Sequence, residues 1–440
     1  MKNIIYRIRQ KLATKFSGGS FARNVLVMFV GTALGQFTSV LLSPLLTRIY
    51  SPEFFGILGF FTAIVGTLSV VASLSYEMAL TLAKDKDDAA NLLTVCILSL
   101  LLTTALFYGF LLFSPDSLLD RLFGALVPYL YLMPIGFFCI GAYAVMVNFA
   151  TLKAAFPIIA RTKIYQGVIG PVSQIGLGLA GAGAWGLIVG FILGQSAGVI
   201  NMFTRLVLKP RDVFGNVTWR GITGVARRFI RFPLLSTWSS IISVLGSNSM
   251  IMVVIPLLYS NVIAGYIFLT ERIIGRPLLL ISTSILQVYI GEASKTQNSD
   301  PRALRKRFLQ IVKGQFVIVS SWLILINATA FYFVPIVFGK EWAEAVIYIN
   351  ILSIYYLPQM VMTSVRHTLQ IMEKQGMMAM WDIARCVVIV SGFVASYVFF
   401  LSSVQSVLIY SISQAAMQII LFRLIYSAIQ KLQPTEPRDS

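Results

Sequence analysis

The stretch RLVLKPRDVFGNVTWRGITGVARRFIRF, residues 205–232, sets seven basic side chains between two long apolar runs: Arg205, Lys209, Arg211, Arg220, Arg227, Arg228 and Arg231. It stands near the middle of a chain of 440 residues. In both directions from it one pattern repeats: an apolar run, a gap, another run, with basic residues in every second gap. A helix needs about 20 mostly apolar residues to cross a hydrocarbon core of ~30 Å. Lys and Arg crowded into alternate loops mark the cytoplasmic side of such a chain. Hydrophobic residues make up 57% of the sequence and its mean hydropathy is +0.81, which excludes an ordinary soluble domain. The fold class that follows is an all-α polytopic membrane protein.

Apolar runs fall near 25–47, 55–80, 90–113, 126–148, 164–181, 186–204, 233–257, 263–290, 314–337, 345–366, 383–401 and 406–425, giving twelve crossings. Residues 164–204 are too long for one crossing and turn at Gly181–Ala182–Gly183–Ala184–Trp185–Gly186, where glycine supplies unusual backbone angles. Residues 383–425 divide at Ser402–Ser403–Val404–Gln405–Ser406. With the N-terminus inside, thirty of the 35 basic residues lie on the cytoplasmic side. Arg48, Arg121, Arg272, Arg276 and Lys340 alone lie on the outer side or in helices that begin there. Both termini are then cytoplasmic.

Topology thus accounts for the net charge of +18, and no nucleic-acid partner is needed. Residues 1–24 read as an amphipathic helix, with Ile4, Ile5, Ile8, Leu12 and Phe16 at helical spacing among basic residues. Such a segment lies on the inner leaflet rather than crossing it, and it is not a cleaved signal peptide. Cys96, Cys139 and Cys386 have no paired spacing, so neither a disulfide framework nor a metal site is expected. His367 is the only histidine, which removes a Ser-His-Asp triad and a zinc site. No Walker-type glycine loop is present, no loop holds a soluble catalytic domain, and no cofactor is expected.

The basic segment divides the crossings into six and six, which gives an N-terminal lobe over 25–215 and a C-terminal lobe over 216–440. An even number per half makes any repeat parallel, about an axis along the membrane normal. Tyr50–Ser51 followed by Gly56 recurs as Tyr259–Ser260 followed by Gly265. Pro157–Ile158–Ile159–Ala160 before the fifth crossing aligns with Gly376–Met377–Met378–Ala379 before the eleventh. Two six-helix lobes around a central cavity are the expected architecture.

Ionisable groups at bilayer depth mark a cavity or pathway by default. Glu271, Arg272 and Arg276, followed by Pro277, open the eighth crossing. From a start near Ala264, Arg276 lies about 18 Å along the helix at 1.5 Å per residue, close to the midplane. Arg272 and Arg276 are four apart and project from one face. Two guanidiniums on one face suit a multiply charged phosphate, gripped through forked hydrogen bonds. The competing reading is that Glu271 and a neighbouring helix neutralise them structurally. Arg48 ends the first crossing, either as a cavity ligand or as a snorkelling interfacial arginine. Glu77, late in the second, either carries a coupling proton, pairs with a cavity arginine, or makes a plain salt bridge. Asp382 and Arg385 read as a structural pair near the inner surface. Ser236, Ser240, Ser243 and Ser247 follow helical spacing along the seventh crossing and either line a wet cavity or let two helices pack closely.

The stretch Leu42–Ser43–Pro44–Leu45–Leu46–Thr47–Arg48–Ile49–Tyr50–Ser51–Pro52–Glu53–Phe54–Phe55–Gly56 resembles the first-crossing signature of the polysaccharide transporter family. These are the O-antigen (lipopolysaccharide), capsule and exopolysaccharide flippases of the multidrug/oligosaccharidyl-lipid/polysaccharide exporter superfamily. Leu74–Ser75–Tyr76–Glu77–Met78–Ala79–Leu80, Ala89–Ala90–Asn91–Leu92 and Arg272 before Pro277 also look like that family. The resemblance is firmest over residues 20–100. It implies two six-helix lobes working by alternating access. It also implies a cargo of oligosaccharide linked to undecaprenyl pyrophosphate, with a polysaccharide polymerase and glycosyltransferases as partners in the same pathway. A drug/cation antiporter of the superfamily would instead present acidic residues in its cavity. An intramembrane acyl- or glycosyltransferase would need an acid–base pair near one surface. The lipid II flippase branch is a close relative whose members usually carry two more crossings.

Overall fold

Every regular element among the described residues is helical. The structure, a computed structural model, describes residues 20–207, 213–215, 217–246, 249–296 and 301–431. Helix α1 (Ser20–Leu41) continues as Ser43–Ile49 and is followed by α2 (Pro52–Leu68), α3 (Lys86–Phe113), α4 (Met133–Leu152), α5 (Phe156–Leu179) and α6 (Gly183–Leu206). In the second half, α7 (Thr237–Leu245) and α8 (Ser249–Leu258) form one interrupted crossing. Helices α9 (Asn261–Thr270) and α10 (Arg276–Thr296) form the next, joined by a wide π turn over Glu271–Gly275. The remainder are α11 (Pro301–Phe338), α12 (Ala345–Thr363), α13 (Gln375–Val398) and α14 (Ser403–Gln430).

Among the described residues, ten segments are long and apolar enough to cross a membrane. The other two expected crossings fall short for different reasons. Helix α5 has 24 residues but carries Arg161, Lys163, Gln166 and Gln174, which lower its hydropathy; it packs between α1 and α6. In the seventh, helix α7 ends at Leu245 with Gly246 as its cap, and residues 247 and 248 lie outside the described residues. Of the amphipathic segment expected over 1–24, only residues 20–24 are described, and they belong to α1.

The second crossing departs from the run 55–80. Regular α-helix stops at Leu68, a 3₁₀ turn covers Ser69–Val71, and Leu74 and Ser75 take positive φ of 51° and 59°. Serine competes with the helix here: the Ser69 hydroxyl donates to the Gly66 carbonyl at 2.7 Å. Glu77 therefore sits in the short turn of helix Tyr76–Ala79 rather than on a continuous crossing.

Backbone geometry repeats along the chain. Ala154 and Gly181 end α4 and α5 with positive φ. Glu373 and Phe400 do the same before and after α13, each 219 residues further on. At all four the next residue's N–H closes back five residues: Ala155 to Ala150, Ala182 to Leu177, Lys374 to Leu369 and Leu401 to Ser396. This is a left-handed helix-terminating turn. Only one of the four is glycine, so residue types alone conceal the match. Tyr50 and Tyr259 form a second correspondence. The Tyr50 hydroxyl donates to the Gln174 carbonyl at 2.6 Å beside the start of α6, and the Tyr259 hydroxyl donates to the Leu401 carbonyl at 2.9 Å beside the start of α14.

The two halves meet most closely where α2 and α9 begin. A Cβ added to Gly56 would lie 1.8 Å from the Asn261 carbonyl oxygen, and one added to Gly265 would lie 1.9 Å from that of Pro52. Both contacts join residues of one 209-residue correspondence, so each glycine meets the counterpart of the other's partner. Trp342 reinforces the junction. It is fully buried, donates from Nε1 to the Thr47 carbonyl at 3.0 Å, and packs edge-on against Phe55 with ring centroids 5.0 Å apart.

Candidate functional site

Pro277 shapes the centre of the eighth crossing. Proline has no N–H to return to the carbonyl four residues before it. The helix responds by widening: the Arg276 N–H bonds to the Glu271 carbonyl, five residues back. Such π turns occur often at functional sites. Here Glu271 and Arg272 lie among different neighbours.

Arg272 enters the seam between the halves. It is 5% exposed, its Nη1 donates to the Ser43 hydroxyl at 3.3 Å, and its guanidinium lies 5.3 Å from the ring centres of both Phe55 and Phe268. Its Nε is buried without a hydrogen-bond partner. Arg276, one turn on and half-buried, lies 5.9 Å from the centre of the same Phe268 ring. Among the described residues neither arginine has a carboxylate within ion-pair distance. Their charge is met by aromatic faces and one hydroxyl, and a buried guanidinium so held is not neutralised.

Glu271 does not pair with them. It lines a small cavity beside Tyr355, Tyr356 and Tyr410, with about 10 Å³ open to the centre of a water molecule. Arg48 is exposed and donates from Nη2 to the Ile336 carbonyl at 2.9 Å, on the last turns of α11. A cation there is favoured by the negative end of the helix dipole. Glu77 is half-buried and accepts a short hydrogen bond from the Ser73 hydroxyl, with no basic partner among the described residues. Ser236, Ser240 and Ser243 are half-buried along the seventh crossing, and Ser247 lies outside the described residues. Between Ser236 and Ser240, Thr237 is buried and its hydroxyl meets that of Ser75 at 3.0 Å, tying the broken end of the second crossing to the seventh.

Asp382 approaches Arg366 at 4.0 Å instead of Arg385, and Arg385 stacks over Trp381 at 4.9 Å. The pairing read from adjacency on one helix gives way to a contact across two.

Sequence reasoning passed over Ser43, Phe55 and Phe268 as site residues. The first two lie inside the resembling stretch, so the signal was present, but apolar rings among apolar residues carry no mark of the charge they face. The aromatic cluster around Glu271 had no such signal, because Tyr355 and Tyr410 come together only through the packing of α12 on α14.

Solved structures similar to this chain include transporters. The inward-facing conformation of a multidrug resistance MATE family transporter of the MOP superfamily aligns over 92% of this chain and 96% of its own, at 18% identity and a TM-score of 0.62. The lipid II flippase MurJ, in an inward closed conformation, aligns over 93% and 89%, at 13% identity and a TM-score of 0.66. A MOP superfamily transporter from Pyrococcus furiosus Vc1, described as having a binding pocket of reverse polarity, aligns over 93% and 97% at 17% identity and a TM-score of 0.57. No curated protein sequence matches at a significant level. These likenesses give the fold: a multi-pass, two-lobed helical membrane protein. The sequence model of the family described as "Polysaccharide biosynthesis protein" matches residues 45–347, a stretch that holds Arg48, Glu77 and the Arg272–Arg276 pair, and the chain belongs to that family.

Proposed function

We propose that this chain is a flippase, not an enzyme. It moves undecaprenyl-pyrophosphate-linked oligosaccharide from the inner to the outer leaflet of a bacterial cytoplasmic membrane, for surface polysaccharide synthesis. The observation that carries the reading is the Arg272–Arg276 pair: two guanidiniums at the seam between the halves, near the middle of a crossing, with no carboxylate within ion-pair distance among the described residues. A doubly charged pyrophosphate supplies the missing countercharge. Its sugars ride in water between a lobe over 25–215 and a lobe over 216–440. Both termini face the cytoplasm, so Pro52 and Asn261 lie toward the outside and the Gly56–Gly265 contact closes that side. Outward movement of negative charge from an inside-negative cell is favoured by ~2.3 kcal/mol per charge per 100 mV. A polymerase and glycosyltransferases act before and after it on the same glycolipid.

A cationic-drug antiporter is the weaker reading, because Glu271 turns away from the seam while the arginines occupy it. The deciding experiment is the appearance of labelled polyprenyl-pyrophosphate oligosaccharide in the far leaflet of vesicles holding the purified protein. Transport is expected for the pyrophosphate glycolipid and not for an organic cation. Cation movement without glycolipid movement would overturn the proposal.

In the same assay, Glu77→Gln tests coupling. As a proton carrier, Glu77 is expected to make transport depend on an imposed pH gradient, and the glutamine variant to lose that dependence. Equal dependence in variant and wild type assigns Glu77 to the fold of the broken crossing, through Ser73.

A further inference from the structure

We infer that the segment joining the halves is a docking surface for anionic phospholipid headgroups. Helix Trp219–Arg228 begins at a Thr218 cap whose hydroxyl accepts from the Gly221 N–H at 3.0 Å. One face holds it to the protein. Val225 is buried, as is Phe229 just beyond the helix, the Ala226 carbonyl accepts from the Tyr76 hydroxyl at 3.2 Å, and Arg228 pairs with Asp88 at 2.8 Å. The opposite face carries Arg220, Thr223, Gly224 and Arg227, which share one side at three- and four-residue spacing and are all exposed. Arg231, just beyond the helix, is exposed as well.

Three features point this face at a membrane surface rather than at bulk water. Trp219 is 74% exposed beside Arg220, a large apolar area for a cytosolic face. Leu234, Leu235 and Trp238 are exposed immediately after Arg231, so the chain passes from basic face to lipid-facing residues within one turn. Tryptophans that flank such a transition are the usual markers of the headgroup layer. Finally, among the described residues Arg220, Arg227 and Arg231 are in no ion pair, and Asp88 is already taken by Arg228. Arg220, Arg227 and Arg231 therefore present exposed positive charge at headgroup depth, which phosphate-bearing lipids complement. The surface is joined to the transport machinery: Tyr76 and Ser75 reach Ala226 and Thr237 on either side of it, next to Glu77. A bound headgroup thus steadies the strap between the lobes.

The test uses the full-length protein in phosphatidylcholine vesicles with and without phosphatidylglycerol. Its readouts are quenching of Trp219 by phosphatidylglycerol brominated near the headgroup, taken as the difference from Trp219→Phe, and the phosphatidylglycerol retained on purification. Wild type is expected to enrich the anionic lipid. Combined Arg220→Gln, Arg227→Gln and Arg231→Gln should weaken enrichment by about fivefold per arginine, since each basic side chain near an anionic leaflet contributes ~1 kcal/mol. The corresponding triple lysine variant should keep it, and added salt should reduce it. Equal enrichment by wild type and glutamine variant would overturn the inference, as would its loss in the lysine variant. Displacement by soluble glycerol phosphate at matched concentration would show that a free phosphate, not a lipid, is the ligand. The inference rests on the membrane fold and not on the cargo, so a failed glycolipid assay leaves it standing.

Discussion

Arg276→Glu is expected to abolish glycolipid transport while leaving the protein at normal abundance in the membrane. Arg276 is half-buried, with its guanidinium 5.9 Å from the centre of the Phe268 ring, so less packing is lost on substitution than at a fully buried position. What changes is the sign of charge at the point where a pyrophosphate must rest. Hydrogen bonds to charged groups contribute about 1.5–3 kcal/mol, so Arg276→Ala should slow transport roughly 10- to 100-fold. Glutamate should do worse by repulsion. Lysine should restore part of the rate, because a point charge cannot reproduce a planar fork. Arg272 should behave differently. It is buried against Phe55, Phe268 and Ser43, and Arg272→Ala leaves a cavity in the seam, so both abundance and transport should fall. The measurement is initial transport rate per protein in vesicles, beside abundance by quantitative blot. Wild-type transport by Arg276→Glu would remove that residue from the cargo site.

The contrast between the two arginines also shows where the sequence could be read and where it could not. Spacing placed both on the helix before Pro277, and the structure sets both guanidiniums over Phe268. Membrane class was legible because twenty-residue apolar periodicity and charge asymmetry are properties of the chain itself. Breaks within crossings were not. The run 55–80 is mostly apolar, yet the Ser69 hydroxyl bonds the Gly66 carbonyl and gives the backbone a local alternative to helix, and nothing in hydropathy weighs a hydroxyl against a helical bond. Glu271 illustrates the second limit. Its place next to Arg272 in the sequence leaves open whether it neutralises that charge; successive residues of an α-helix project about 100° apart, and the structure sets Glu271 beside Tyr355, Tyr356 and Tyr410 but Arg272 beside Phe55 and Phe268. The repeat shows the third limit. Tyr50 with Gly56 and Tyr259 with Gly265 are alike in type, whereas the turns at Ala154, Gly181, Glu373 and Phe400 are alike only in φ.

Gly56 and Gly265 support the prediction with the most distinctive signature. Each stands where a Cβ would fall within 2 Å of a backbone oxygen on the opposing helix, a contact no flexible side chain can relieve. Gly56→Ala must therefore push α9 away from α2, and Gly265→Ala must push α2 away from α9, by the same displacement. Overpacking of this kind costs about 1–3 kcal/mol. Because one separation relieves both clashes, the double variant should lose little more stability than either single one. Independent sites would add. If this contact is the outer closure, the separation should also expose the seam behind it. A Ser43→Cys reporter, at a position now 1% exposed and bonded to Arg272, should react faster with a membrane-impermeant thiol reagent applied from outside once either alanine is present. Thermal unfolding in detergent measures the first effect, and labelling rate in intact cells the second. Additive losses would show that the two glycines do not share one seam. An unchanged labelling rate would show that the seam opens elsewhere, because a closure whose two halves are related by the repeat cannot be wedged at one glycine and stay shut at the other.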